Sequence, residues 1–165
     1  MTATRIDRGS TNTTAIYSDA ADLVFERTFD APREKMWKAF TDPNLVPRWW
    51  GKHGTTTIVE AMDVRPGGKW RYINRAPDRD DVVFYGEYLE VIPNERLVFT
   101  EVFGGMPEAG AVTTLTFTEK GGRTTLTTLV QHQKKEHRDA HINSGMEAGM
   151  QDAMDLLEQV AISLR

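Results

Sequence analysis

The hydrophobic positions of this chain change their period twice. From Asp22 to Phe29, Leu23, Phe25 and Phe29 alternate with Val24, Glu26 and Thr28, the period of two that sets one face of a strand on a core. Arg27 falls on that apolar face. Asp30-Ala31-Pro32 then marks a helix start, because first-turn amides have no intrahelical partner and a missing N–H costs nothing there. Met36, Trp37 and Phe40 follow at helical spacing. Asp42 as N-cap and Pro43 at the first helical position open a second short helix carrying Leu45, Val46, Trp49 and Trp50, which Gly51 ends.

Strand-like sequence then persists to about Gln131, cut by turn signals at Pro66-Gly67-Gly68, the polar run Asp78 to Asp81, Pro93-Asn94-Glu95, Gly104 to Gly110 and Gly121-Gly122. Six strands are predicted: Thr56–Val64, Lys69–Asn74, Val82–Val91, Arg96–Phe103, Val112–Thr118 and Thr124–Gln131. Connections this short join antiparallel neighbours. From Lys134 to Leu164 there is no proline, and Met146, Met150, Met154, Leu157, Ala161 and Leu164 form one stripe of a long amphipathic helix. Gly145 and Gly149 inside it each lower helix stability by roughly 0.8–1.0 kcal/mol relative to alanine, and point to a close crossing or a bend. Residues 1–21 show neither period and are expected to be a flexible lead-in, with 22–165 forming one domain.

One strand, two short helices, six strands and a long helix make an α+β chain. About seven antiparallel strands bury their apolar face against one helix by curling around it. The space left between them is expected to be a pocket of the size that takes small organic ligands, roughly 300–1,000 Å³.

The absence of cysteine from the 165 residues excludes disulfides, thiolate nucleophiles and cysteine-ligated metals. A net charge of -4, with basic and acidic residues intermixed, gives no nucleic-acid footprint. The cluster Lys134, Lys135, His137 and Arg138 includes Glu136 and reads as a solvated helix face, with an anion site as the alternative. No apolar run approaches the ~18 residues of a membrane span, and the N-terminus lacks a secretory apolar core, so a cytoplasmic protein without membrane insertion is expected.

Candidate chemistry is sparse. His137 and His141, four apart on the predicted helix, could share a metal, but no His-Glu-x-x-His pattern accompanies them and no metal is assigned; His53 stands alone. His132, at the end of the last strand, points to the mouth of the pocket or serves the structure. Ser10, Ser18, Ser144 and Ser163 lack a nucleophile-elbow context, so no catalytic residue and no cofactor is assigned. Arg65-Pro66-Gly67-Gly68 reads as a hairpin turn. Trp49-Trp50 marks a ligand lid, a partner surface, or core packing beside Trp37.

Alternation places Trp70, Tyr72 and Asn74 on one face, Phe84, Gly86 and Tyr88 on another, and Phe99, Glu101 and Phe103 on a third. If these faces line the cavity, with Met146, Met150 and Met154 opposite, then Arg27, Asn74 and Glu101 are the polar groups that orient a ligand. An Arg27–Glu101 pair serving the structure alone is the competing reading.

Phe29-Asp30-Ala31-Pro32, Trp37, Thr41-Asp42-Pro43, Trp49-Trp50-Gly51, Asp63-Val64-Arg65-Pro66-Gly67-Gly68, Gly86-Glu87-Tyr88 and Pro93-Asn94-Glu95-Arg96-Leu97, in this order and spacing, resemble the START-like SRPBCC superfamily. The resemblance is to the branch homologous to the C-terminal domain of the activator of the heat-shock protein ninety ATPase, and runs from about Asp22 to Leu164. Arg138-Asp139 with Ser144-Gly145-Met146-Glu147 and Gly149 resembles a bacterial subgroup. It implies the helix-grip (START-like, Bet v-like) fold, with two short helices closing one end of the sheet and a hydrophobic pocket under the last helix. Relatives of this kind bind lipids, hormones or polyketides, act as cyclases or aromatases, or stimulate a chaperone ATPase. The expected function is therefore non-enzymatic binding of a small hydrophobic or aromatic molecule. The alternatives are a co-chaperone with a heat-shock ATPase as partner, and a cyclase or dehydratase using His132 or Glu101; a homodimer stays open.

Overall fold

A computed structural model describes residues 4–6, 15–19, 21–51, 54–104, 110–143 and 146–164, with the backbone alone at 4–6, 15–19, 141–143 and 146–149. Among these the strands are β1 (Thr4–Ile6), β2 (Ala15–Asp19), β3 (Asp22–Phe29), β4 (Thr56–Met62), β5 (Lys69–Ala76), β6 (Arg79–Ile92), β7 (Arg96–Phe103), β8 (Ala111–Lys120) and β9 (Arg123–His132). They form one antiparallel sheet in the order β1-β2-β3-β9-β8-β7-β6-β5-β4. β4 to β9 are a meander, and β3 closes onto β9 with Leu23 opposite Val130 and Phe29 opposite Thr124. This is the curved sheet and C-terminal helix of the helix-grip fold, with β3–β9 as its seven expected strands.

Two short strands extend the sheet inside the segment read as a flexible lead-in. β2 pairs with β3, and β1 with β2. Neither carries a usable alternation, and the open edge of β3 supplies the hydrogen-bond partners that sequence period does not reveal.

Curvature has visible causes. Register shifts interrupt β4–β5 at Val59/Ala61, β5–β6 at Asn74/Ala76 and β6–β7 at Tyr88/Glu90. Each unpaired residue bends its strand and increases the local twist. The β8–β9 turn needs none of this: Gly121 and Gly122 both take positive φ, 60° and 75°, the geometry of a two-residue hairpin matched to strand twist.

The connection from β3 to β4 must travel from one side of the seven-stranded sheet to its far edge. It does so through α1 (Arg33–Thr41), in which Lys35 and Met36 donate backbone N–H bonds to the Pro32 carbonyl. The expected second helix is shorter than predicted. Asp42 forms a turn instead, its Oδ1 accepting from Asn44 N at 2.8 Å, and the chain continues into a single 3-10 turn, Val46–Arg48. Pro47 lies in it, and a residue with no N–H cannot extend an α-helical ladder.

The predicted long helix is described as two segments, α2 (Lys135–Asn143) and α3 (Met146–Ser163). Leu157 and Ala161 of its apolar stripe are fully buried, together with Val160, which the stripe did not include. They pack with Phe29, Met36, Ala39 and Val46, so α3 and α1 share one core against the sheet. A second cluster of Leu23, Phe25 and Val130 lies apart, with Ala111 and Met150 against it. His53, Ser144 and Gly145 lie outside the described residues.

Candidate functional site: an aromatic pocket holding one carboxyl

The site begins at a gap in a ladder. β6 and β7 pair at Tyr85–Val102 and at Tyr88–Phe99, but Gly86 and Glu87 have no register partner there. Side chains fill in. Trp70, opposite Gly86 on β5, passes over that glycine and donates its Nε1–H to the Thr100 carbonyl at 3.0 Å, while Glu87 N donates to Thr100 Oγ1 at 2.9 Å. A Cβ on Gly86 would collide with the Thr100 carbonyl and lie 2.7 Å from the Trp70 indole nitrogen. The glycine is therefore what lets an indole bridge two strands.

Above this gap lies a pocket. From the sheet it is walled by Trp70 and Tyr72 of β5, Tyr88 of β6, and Leu97, Phe99 and Glu101 of β7. Phe40 from α1 and Trp49 and Trp50 after the 3-10 turn close it from the other side. The rings meet at steep angles. Trp50 stands edge-on to Tyr72 at 5.2 Å and 76°, Phe40 to Trp49 at 4.8 Å and 68°, and Trp70 to Phe99 at 5.8 Å and 88°. Such pairs are favourable because the positive edge of one ring meets the negative face of the next.

The space among these residues is about 70 Å³, and it opens to solvent. That is well below the size expected from a sheet curled around a helix. Three indoles occupy much of the room that curvature creates, leaving space for several waters or one compact organic group.

Glu101 is the one carboxyl among the described residues of this wall. Burial pushes its carboxyl up from the usual range to about 7, and it forms no hydrogen bond or ion pair among the described residues. Two phenols stand beside it. Tyr72 is raised by burial, by Tyr88 and by the charge on Glu101, and Tyr88 is pushed up to about 12, chiefly by burial. Both therefore stay protonated at neutral pH.

Of the residues singled out in the sequence, Trp70, Tyr72, Tyr88, Phe99 and Glu101 come together here. Phe84 and Phe103 stand beside it: Phe84 packs edge-on to Trp50 at 4.8 Å, and Phe103, 40% exposed, leans on Phe84. Asn74 is buried but occupied, its Nδ2 donating to Thr55 Oγ1 at 2.9 Å and its Oδ1 accepting from Arg79. Arg27 does not meet Glu101. It pairs with Asp155 and Glu158 of α3, 2.7 and 3.3 Å away. His132 is bonded through Nδ1 to the Ala21 carbonyl at 3.0 Å, and burial lowers its pKa. It is not among the wall residues of the pocket, and Ala111 stands between it and Glu101 in the cross-strand row.

Met150 and Met154 are not among the residues that wall this pocket. Met154 packs against the main core and Met150 against the Leu23 cluster. The side chain of Met146 is outside the described residues, as is that of His141. Among the described residues no cluster of three or more acidic or histidine side chains could hold a metal. This pocket sits under the end of α1. Trp49 and Trp50, read as a ligand lid, a partner surface or core packing, are wall residues; Phe40 and Leu97 were not singled out, although the alternation of Leu97 with Phe99 pointed to the latter.

A family model described as activator of Hsp90 ATPase homolog 1-like protein matches residues 30–161. The chain belongs to this family. The match contains α1, the 3-10 turn, β4–β9 and most of α3, and hence every wall residue of the pocket. Among solved structures, a Rhodobacter sphaeroides protein superposes with a TM-score of 0.83 at 27% identity, over 89% of this chain and 96% of that one. A Chromobacterium violaceum protein, CV1439, gives 0.76 at 26% identity over 86% and 96%. DynU16, a protein from the dynemicin biosynthetic locus, gives 0.68 at 23% identity, and the match covers 88% of this chain and 48% of that larger one. No curated protein matches the chain. No helix among the described residues of this chain is long and apolar enough to cross a membrane.

Proposed function

We propose that this protein binds a compact hydrophobic or aromatic molecule, without transforming it, in the pocket between β5–β7 and the end of α1. The observation that carries this is an aromatic-walled space, open to solvent, that no atom of the described residues fills. A purely structural core would be expected to close it, since interiors pack to the density of organic crystals. The family fold supports the reading, because a curved sheet closed by helices encloses a cavity. The size of the space favours a small ring or branched alkyl group over a long acyl chain.

Three of the chain's four tryptophans line the pocket, so binding has an optical reporter. A panel of small aromatics and branched alkanols, titrated while following tryptophan fluorescence and thermal unfolding, is expected to give saturable quenching and a concentration-dependent rise in Tm. A panel that gives neither would overturn the proposal.

A further inference from the structure

We propose that the occupant is a compact organic cation, an alkylated amine whose charged nitrogen is held by the Glu101 carboxylate and the aromatic faces around it. This rests on the reading that the pocket takes a ligand, and names its class.

The argument is one of donors and acceptors. Among the described residues, the wall contains no lysine, arginine or histidine. Two of its three indole N–H groups are already committed, Trp49 Nε1 to the Ala39 carbonyl at 2.9 Å and Trp70 Nε1 to the Thr100 carbonyl at 3.0 Å. What remains toward the open space is ring surface, the Trp50 indole N–H, two phenols that are hydrogen-bonded to each other, and one carboxyl. A fatty-acid or phosphate group would find no countercharge there and would face Glu101. A cation finds the opposite: rings on several sides at steep angles, and a carboxyl with no partner among the described residues. Aromatic walls attract cations through the negative faces of their rings, most strongly where water is excluded, and quaternary ammonium groups are the ligands such cages take.

Among the described residues, the titratable groups on the wall with Glu101 are Tyr72 from β5 and Tyr88 from β6, and His132 of β9 lies beyond Ala111 in the same cross-strand row; α1, the 3-10 segment and the rest of β7 contribute apolar and indole side chains to the wall. Both phenols stay neutral up to alkaline pH, so the charge of the pocket is set by Glu101. Its carboxyl ionises near pH 7. Affinity for a cation is then expected to rise as pH increases through 7, and to fall below it.

The test uses probes whose own charge does not change with pH: choline, its neutral isostere 3,3-dimethylbutan-1-ol, and acetate as the anion. Calorimetry or ligand-observed NMR at pH 8 is expected to show choline bound roughly tenfold more tightly than the isostere, with acetate unbound. Between pH 8 and pH 6 choline is expected to weaken by up to about tenfold, with the isostere unchanged. Glu101→Gln is expected to remove both the preference and the pH dependence while the isostere still binds. Equal binding of choline and the isostere by the unaltered protein would overturn the cation proposal and leave the pocket reading standing. Binding of the anion alone would overturn the cation proposal, and no binding by any probe or by the aromatic panel would overturn both. The pH series on the unaltered protein decides the matter even where the variant fails to fold.

Discussion

Arg27 of β3 reaches across 128 positions of sequence to donate to Asp155 of α3 at 2.7 Å, and its other amino group lies 3.3 Å from Glu158. Arg27 is only 5% exposed, with its guanidinium 5.0 Å above the Phe29 ring, whereas Asp155 is mostly solvated. Glu158 also accepts from Asp30 N at 3.0 Å, so one helix face anchors both the inner face and the end of β3.

This asymmetry of burial sets a prediction. Removing both carboxylates, Asp155→Asn with Glu158→Gln, leaves a buried cation without countercharge and is expected to cost roughly 3 kcal/mol. Arg27→Met removes the charge along with its need for partners and is expected to cost about 1 kcal/mol or less. Urea unfolding of the two proteins checks the order; a larger loss in Arg27→Met would contradict it.

Glu101 makes stability depend on pH. Its folded pKa, near 7, lies above the ordinary glutamate value, so between those two pH values the folded state binds more protons than the unfolded one. Stability is therefore expected to fall as pH rises from about 4.5 to 7. Glu101→Gln should leave the urea midpoint nearly unchanged at pH 4 and raise stability at pH 8 by on the order of 2–3 kcal/mol. An equal effect of the substitution at both pH values would remove the carboxyl from its assigned environment.

Gly86→Ala forces a methyl group into the Thr100 carbonyl and against the Trp70 indole. Neither can yield cheaply, because one is backbone and the other is bonded to that same backbone. A loss of roughly 3 kcal/mol is expected, with a shift in tryptophan emission as the indole leaves its site. Gly67, whose added Cβ would meet nothing but whose φ is +85°, supplies the comparison: Gly67→Ala should cost about 1 kcal/mol and leave the emission unchanged.

Trp50→Ala should open the pocket rather than collapse it, since Tyr72 and Phe84, which Trp50 packs against edge-on, belong to neighbouring strands held by their ladder. The variant is expected to lose about 3 kcal/mol and to regain part of it with added indole, read as a rise in Tm larger than that of the unaltered protein. An unresponsive variant would show that the wall had closed in.

Much of the fold is legible along the chain because the signals are local. Alternation and turn residues place Arg96–Phe103 as the structure has it, and Gly121-Gly122 marks its hairpin without reference to any other segment. Charge misleads at the β5–β6 turn. The run Asp78 to Asp81 reads as loop, yet β6 begins at Arg79, and Arg75 pairs with Asp81 across the ladder at 3.0 Å. Strand ends that project into water carry the same residues as turns.

By itself, then, the sequence determined that β3–β9 are strands and that α1 and α3 are helical, that the sheet is antiparallel, and that Trp70 shares a face with Tyr72 and Phe99 with Glu101, because period and turn chemistry act over a few residues. Only the tertiary structure decided which of those faces meet. It set Arg27 on Asp155 instead of Glu101, joined β2 to the free edge of β3, and brought Trp49 and Trp50 over β5–β7. Those outcomes depend on the path of the β3–β4 connection across a bent sheet. Nothing in a local period records such a path, and it places the pocket under the end of α1.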